Sequence, residues 1–178
     1  MLSNNLRLVS PEHELLSAKL PTFDFNNPVV DPKELVNKLS EIMKDKNGLG
    51  LAANQIGLPY RVFVLNTDPV TACFNPRIIE MSDKMIVSQE GCLTYPYFFV
   101  KIARPGAIKV RYANVNGEFV TRTLSGISAR AFLHEYDHLE GINYLDRAKP
   151  YHLDQAKRQT KIFKRKLKRL NNGNKFTG

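Results

Sequence analysis

The segment His134-Glu135-Tyr136-Asp137-His138 constrains this chain more than any other stretch of it. An H-E-x-x-H run does chemistry only on a helix, where residues four apart share a face and both imidazoles can converge on one cation. Glu135, beside the first imidazole, then reaches the cation's open side and can take a proton from water there. The competing reading is two ordinary histidines in a polar helix. Against it, the chain has only four histidines, and two of them form this pattern with the glutamate in place.

A hydrolytic metal site needs three protein ligands and one open position. Downstream, His152 and Glu140 are available, but neither forms the extended motif of helical metallopeptidases. Upstream stands Glu90-Gly91-Cys92-Leu93-Thr94, a thiol after a glycine that lets the backbone turn tightly. As a thiolate, Cys92 would complete a Cys/His/His set. The ordinary alternative is a buried thiol acting as a small hydrophobe, and Cys73, in the strand-like run 71–74, reads that way. No disulfide is expected from two cysteines in a chain of this size. Glu90, Asp137 or a backbone carbonyl can hold the second nitrogen of a ligand imidazole. Equally, Glu90 can pair with Arg104, and Asp137 can be a solvated helix residue.

Around the motif the pattern alternates between helix and strand. Asp31-Pro32 opens a helix, Leu35, Val36, Leu39, Ile42 and Met43 recur at helical spacing, and Asn47-Gly48 stops it. Residues 61–66, 84–88, 98–102 and 107–113 read as strands, and Asn116-Gly117 reads as a hairpin turn. The motif helix is expected from Ser125 or Ser128 to Leu139 with Gly141 just past its end. A third helix is expected over residues 151–170. The fold class is α+β, mostly antiparallel strands around a central helix carrying the motif, plus a C-terminal helix. Its 178 residues make one domain, 1–150, with a basic helix and tail, 151–178.

The net charge of +9 is uneven. Between Lys157 and Arg169 lie eight basic and no acidic residues, which leaves +1 for the rest. Three readings of that helix stay open: a solvated helix docked on its own domain, an RNA or ribosome contact, and a membrane-surface helix. No apolar run approaches the roughly 20 residues that span a bilayer. The N-terminal stretch has neither a signal-peptide core nor the basic bias of a transit peptide, so a cytoplasmic location is expected.

Gly48-Leu49-Gly50-Leu51-Ala52-Ala53-Asn54-Gln55, Glu90-Gly91-Cys92-Leu93-Thr94 and the motif helix resemble the three signature segments of peptide deformylases: G-x-G-x-A-A-x-Q, E-G-C-x-S and H-E-x-x-H. They occur in the family's order, and the likeness spans residues 31–147. Thr94 stands where the family has Ser, Leu133 where Gln is common, and the stretch 95–99 is more aromatic than usual.

The resemblance implies one divalent metal ion held by Cys92, His134 and His138, with Fe(II) in cells and Zn(II) or Ni(II) as isolated. It implies that Glu135 is the general acid/base, and that the Gln55 side chain and the Leu93 backbone amide bind the developing oxyanion. The implied reaction is removal of the formyl group from N-formylmethionyl nascent peptides, and a C-terminal helix of this kind is associated with the ribosome. For the methionine pocket, Leu49, Ile127 and Ala131 are the candidates, with the peptide backbone pairing near Gly50 and Leu51 by strand addition. A general metallopeptidase and a non-catalytic RNA-binding protein with a structural metal are the rival readings.

Overall fold

The computed structural model describes residues 2–3 and 5–173; the end of the expected basic tail, 174–178, lies outside the described residues. The first helix, α1 (Pro32–Asp45), starts where Asp31 accepts a hydrogen bond from the Glu34 amide. It stops in a left-handed Asn47 (φ 52°), with Gly48 N–H bonding back to the Met43 carbonyl at 2.9 Å, the cross-bond of a Schellman ending. Two strands follow, β1 (Gly50–Ala52) and β2 (Val62–Leu65). The chain continues through β3 (Thr71–Met81), β4 (Met85–Cys92), β5 (Tyr95–Pro105), β6 (Ala107–Ala113) and β7 (Phe119–Ser125). It ends in α2 (Gly126–Leu139) and α3 (Pro150–Gly173).

Among the described residues every pairing is antiparallel, in one five-stranded sheet ordered β1-β2-β3-β6-β7 and one ribbon β4-β5. The larger sheet is covered on both faces. Val62 and Val64 of β2 join Leu35, Leu39 and Met43 of α1. The alternate residues Phe63 and Leu65 face Ala129, Phe132 and Leu139 of α2. This is the period-two alternation of a strand shared between two cores. A third cluster under the ribbon holds Val100, Ile102, Tyr144 and Ala156 of α3.

The main departure from the sequence expectation is β3. Residues 71–74 read as strand-like, yet the strand runs to Met81 through a positive-φ Asn75, Pro76 and two register shifts. Such bulges erase the alternation that marks a strand. The expected glycine after the motif helix is Gly141, at φ 70°, where a Cβ would lie 2.7 Å from the Ser17 backbone. It serves the helix ending and the passage of the N-terminal segment at once. No described helix is long and apolar enough to cross a membrane.

Candidate metal centre

Three elements deliver the polar groups. Helix α2 carries His134, Glu135 and His138, all buried, on the face turned away from solvent. The two-residue turn Leu93-Thr94 between β4 and β5 delivers Cys92 from the ribbon. The short 3-10 turn Ala53–Ile56 after β1 delivers Gln55. Cys92, His134 and His138 each offer one ligand atom, and these atoms lie within 4.8 Å of one another; Cys92 Sγ and His138 Nε2 are 3.2 Å apart. A soft thiolate with two imidazoles suits a divalent transition ion.

Each group is held by a neighbour. The Gln55 side-chain oxygen Oε1 accepts from the Ala52 amide at 2.9 Å, which turns its Nε2 toward Thr94 Oγ1 (3.1 Å) and Cys92 Sγ (3.4 Å). The hydroxyl at position 94 is thus used although it belongs to Thr rather than Ser. His134 Nδ1 lies 3.2 Å from the Glu90 carboxylate, an arrangement that fixes the ring and leaves its other nitrogen for a metal. Glu90 also receives a two-pronged bond from Arg104 (2.8 and 2.9 Å) and one from Arg130 (2.5 Å). Arg104 reaches on to Asp137 at 2.7 Å, which Arg147 meets from the other side at 2.6 Å. Glu90 therefore both pairs with Arg104 and orients an imidazole. The solvated reading of Asp137 is corrected: it is buried and doubly paired, because it lies one turn from His134 on the inward face.

The electrostatics follow from these contacts. Burial alone would raise the Glu90 carboxyl, but Arg104 and His134 outweigh it and bring the pKa to about 2. Burial alone would lower His134; its hydrogen bonds to Cys92 and Glu90 outweigh that and carry it to about 10 among the protein groups alone. Burial and the neighbouring His134 charge push His138 well down. Burial dominates Glu135, which rises to about 7, and its Oε2 is buried without a hydrogen-bond partner among the described residues. Gly50 explains how that carboxyl fits. A Cβ there would stand 2.6 Å from Glu135 Oε1 and 2.7 Å from its Cγ, so only glycine lets β1 pass the acid.

Gln55, Cys92, His134 and Glu135 line a cleft of about 690 Å³. Leu49, Gly50, Leu93, Ile127 and Ala131 all line it, with Leu49 and Ile127 exposed at the rim. Its second wall runs along β4, where Glu90 and Gly91 were named from the sequence and Gln89 was missed. Reading the sequence also missed Arg130, whose only sequence signal is its place four residues before His134 on the same helix face. Asn54 was missed too; its amide donates to the Leu15 and His138 carbonyls at 3.0 and 2.6 Å, and no local pattern announces that.

A thiol and an H-E-x-x-H helix converging beside an open cleft define a hydrolase with a site able to hold a metal. Residues 6–154 match the family described as polypeptide deformylase. The chain belongs to that family. A peptide deformylase of Thermotoga neapolitana is 46% identical over 120 residues, covering 66% of this chain and 73% of the relative. One from Wolbachia of Brugia malayi is 36% identical over 91% of this chain and 97% of its own. Among solved structures, the Thermotoga maritima enzyme superposes with a TM-score of 0.74 at 37% identity, covering 82% of this chain and 98% of that one. The Synechococcus elongatus enzyme in complex with actinonin gives 0.80 at 26% identity, covering 88% and 86%.

Proposed function

We propose that the chain hydrolyses the formyl group from N-formylmethionyl peptides of newly made proteins in the cytoplasm, releasing formate and a free amine. Cys92, His134 and His138 would hold one divalent ion, Fe(II) in cells and Zn(II) or Ni(II) on isolation. When bound, the ion would supply Lewis-acid polarisation and a more acidic water.

The remaining work falls to the protein's own groups. Glu135, lifted to about 7 by burial, takes a proton from the attacking water and hands it to the departing amide nitrogen; a base tuned near the working pH does this best. Gln55 Nε2 and the Leu93 backbone N–H donate to the formyl oxygen as negative charge gathers there. Arg104 and Glu90 keep the His134 ring in place throughout.

The substrate's methionine enters between Leu49, Ile127 and Ala131. Among the described residues, strand β1 has β2 on one edge only, and β4 has β5 on one edge only; both open edges border the cleft. A peptide laid between Gly50 and Gly91 would bond to both and join the two sheets by strand addition.

The observation that carries this reading is the unpartnered Glu135 oxygen beside three convergent ligand atoms. Turnover of formyl-Met-Ala-Ala against acetyl-Met-Ala-Ala, with metal analysis of the same sample, tests it. Formyl-specific hydrolysis that a chelator abolishes is expected, with a loss of about 10²–10³ in Gln55→Leu. Cleavage of internal peptide bonds with indifference to the formyl group would overturn it.

A ribosomal RNA contact through α3 is part of the same proposal. Lys157, Lys161, Lys164, Arg165 and Lys168 line one groove, a run of cations that suits a phosphate backbone. Salt-sensitive co-sedimentation with ribosomes should disappear on reversing Lys161, Lys164 and Lys168 to Glu.

A further inference from the structure

The aromatic stretch that follows Cys92 lies against the cleft. Residues of β5 alternate: Phe98, Val100 and Ile102 pack inward, while Phe99 and Lys101 point outward, on the face shared with Gln89 and Gly91 of β4. The Phe99 ring covers Gly91 so closely that a Cβ on Gly91 would meet it at 2.5 Å. Phe99 is nevertheless 52% exposed, and both it and Tyr97 line the cleft.

Tyr97 is fixed in place. Its backbone is left-handed at φ 66°, its carbonyl accepts from Thr160 of α3 at 3.2 Å, and its ring lies 5.4 Å from that of Phe163. Two half-open aromatic rings are therefore held at the cleft edge, one by the ribbon and one by the C-terminal helix. Ordering them is already done by the fold, so an apolar group arriving there gains contact without that cost.

We propose that Phe99 and Tyr97 form a binding ledge for the side chain of the substrate's second residue and favour an aromatic or large apolar one. The proposal rests on the deformylase reading, in which the peptide lies extended between Gly50 and Gly91. Side chains of an extended strand alternate between its faces. With the formylated methionine directed toward α2, the second side chain points to the opposite face, where Phe99 stands over Gly91. The third returns to the α2 side, away from the ledge.

The test is kcat/KM for formyl-Met-Phe-Ala, formyl-Met-Ala-Phe, formyl-Met-Asp-Ala and formyl-Met-Ala-Ala. Phenylalanine in second place should raise kcat/KM about 5-fold over alanine, the scale of one aromatic contact at a half-open rim. Phenylalanine in third place should do so less. In Phe99→Ser the second-place ratio should fall to about one, and in Phe163→Ala, which releases Tyr97 from outside the cleft, it should fall part of the way. A ratio unchanged in both variants, or no preference at the second place in the parent chain, overturns the ledge while leaving the deformylase reading intact. If none of the four peptides is hydrolysed by the metal-loaded protein, the deformylase reading itself fails.

Discussion

Helices α2 and α3 are both rich in charge and treat it in opposite ways. Along α2, Arg130, His134, Glu135, Asp137 and His138 are buried, and four of them have named polar partners. Along α3, the eight basic residues from Lys157 to Arg169 are all exposed, and Lys157 meets Asp154 only at 4.0 Å. Charge thus occurs in two physical regimes. A buried charge needs a geometrically good partner, since desolvation costs several kcal/mol per ion. A solvated one needs none and contributes little singly. In α2 each charge has a separate job, whereas in α3 only the sum matters.

Glu135 breaks that division, because it is buried yet its Oε2 has no hydrogen-bond partner among the described residues. Glu135→Gln should therefore remove the most activity and harm the fold least. Turnover should fall by about 10²–10⁴ with metal content retained. The chelated protein should gain stability above neutral pH. The sign follows from the acid's raised pKa: unfolded it ionises near pH 4.5, folded near 7, so folding loses stability as pH rises through that window. Gln has no such loss, and the variant should exceed its parent by about 3 kcal/mol at pH 8 while matching it below pH 4.5. Chemical denaturation of both proteins at the two pH values checks this. A variant less stable than its parent at pH 8 would mean that Glu135 is engaged like its neighbours.

The pairing that defines α2 is tested by Arg104→Leu. Glu90 would lose two bonds and Asp137 one, all from a shared guanidinium. Removing one partner of a buried set costs about 3–5 kcal/mol, read as a shift in the denaturation midpoint. The His134 ring would lose its firm support at the same time, so metal affinity should fall as well. A cost near zero would put the network in the same regime as α3.

How far the sequence discloses these regimes depends on the distance over which they act. The cap at Asp31, the stop at Asn47-Gly48 and the spacing of His134 to His138 are local, and the structure has each of them where the residues predict. Cys92 is legible only beside the other two signature segments, since a lone buried thiol reads as a small hydrophobe. The inward face of Asp137 is not, since a polar residue one turn from His134 looks solvated until Arg104 arrives from another strand. The N-terminal segment is silent for a different reason: it is pinned by backbone bonds, Val9 to Gln55 and Leu20 to Leu139, each 2.9 Å, and backbone bonds leave no side-chain pattern. The full length of β3 is hidden by its own bulges.

Gly50 belongs to the same class of long-range fact, and Gly50→Ala measures it. The added methyl would overlap Glu135, so either the acid or β1 must shift. Overpacking of this kind costs about 1–3 kcal/mol, and turnover should drop together with stability because the displaced group is the acid itself. Combining Gly50→Ala with Glu135→Ala should recover most of the stability and none of the turnover. Additive losses in the double variant would show that the glycine serves the strand and not the carboxyl.

The smallest effects belong to α3, where smallness is itself the prediction. Lys161→Ala, Lys164→Ala and Lys168→Ala should each change stability by no more than about 0.5 kcal/mol, since the cations are exposed. Collectively the eight like charges repel within a Debye length of about 10 Å at 0.1 M salt. Raising salt from about 0.01 to 0.5 M should therefore tighten the distal half of α3, seen as slower amide exchange there. Exchange around Glu90 and Arg104 should stay constant, because a buried network is little screened. If one lysine alone cost more than about 1 kcal/mol, that cation would be engaged in a specific contact, and the contrast between the two helices would narrow to a difference of degree.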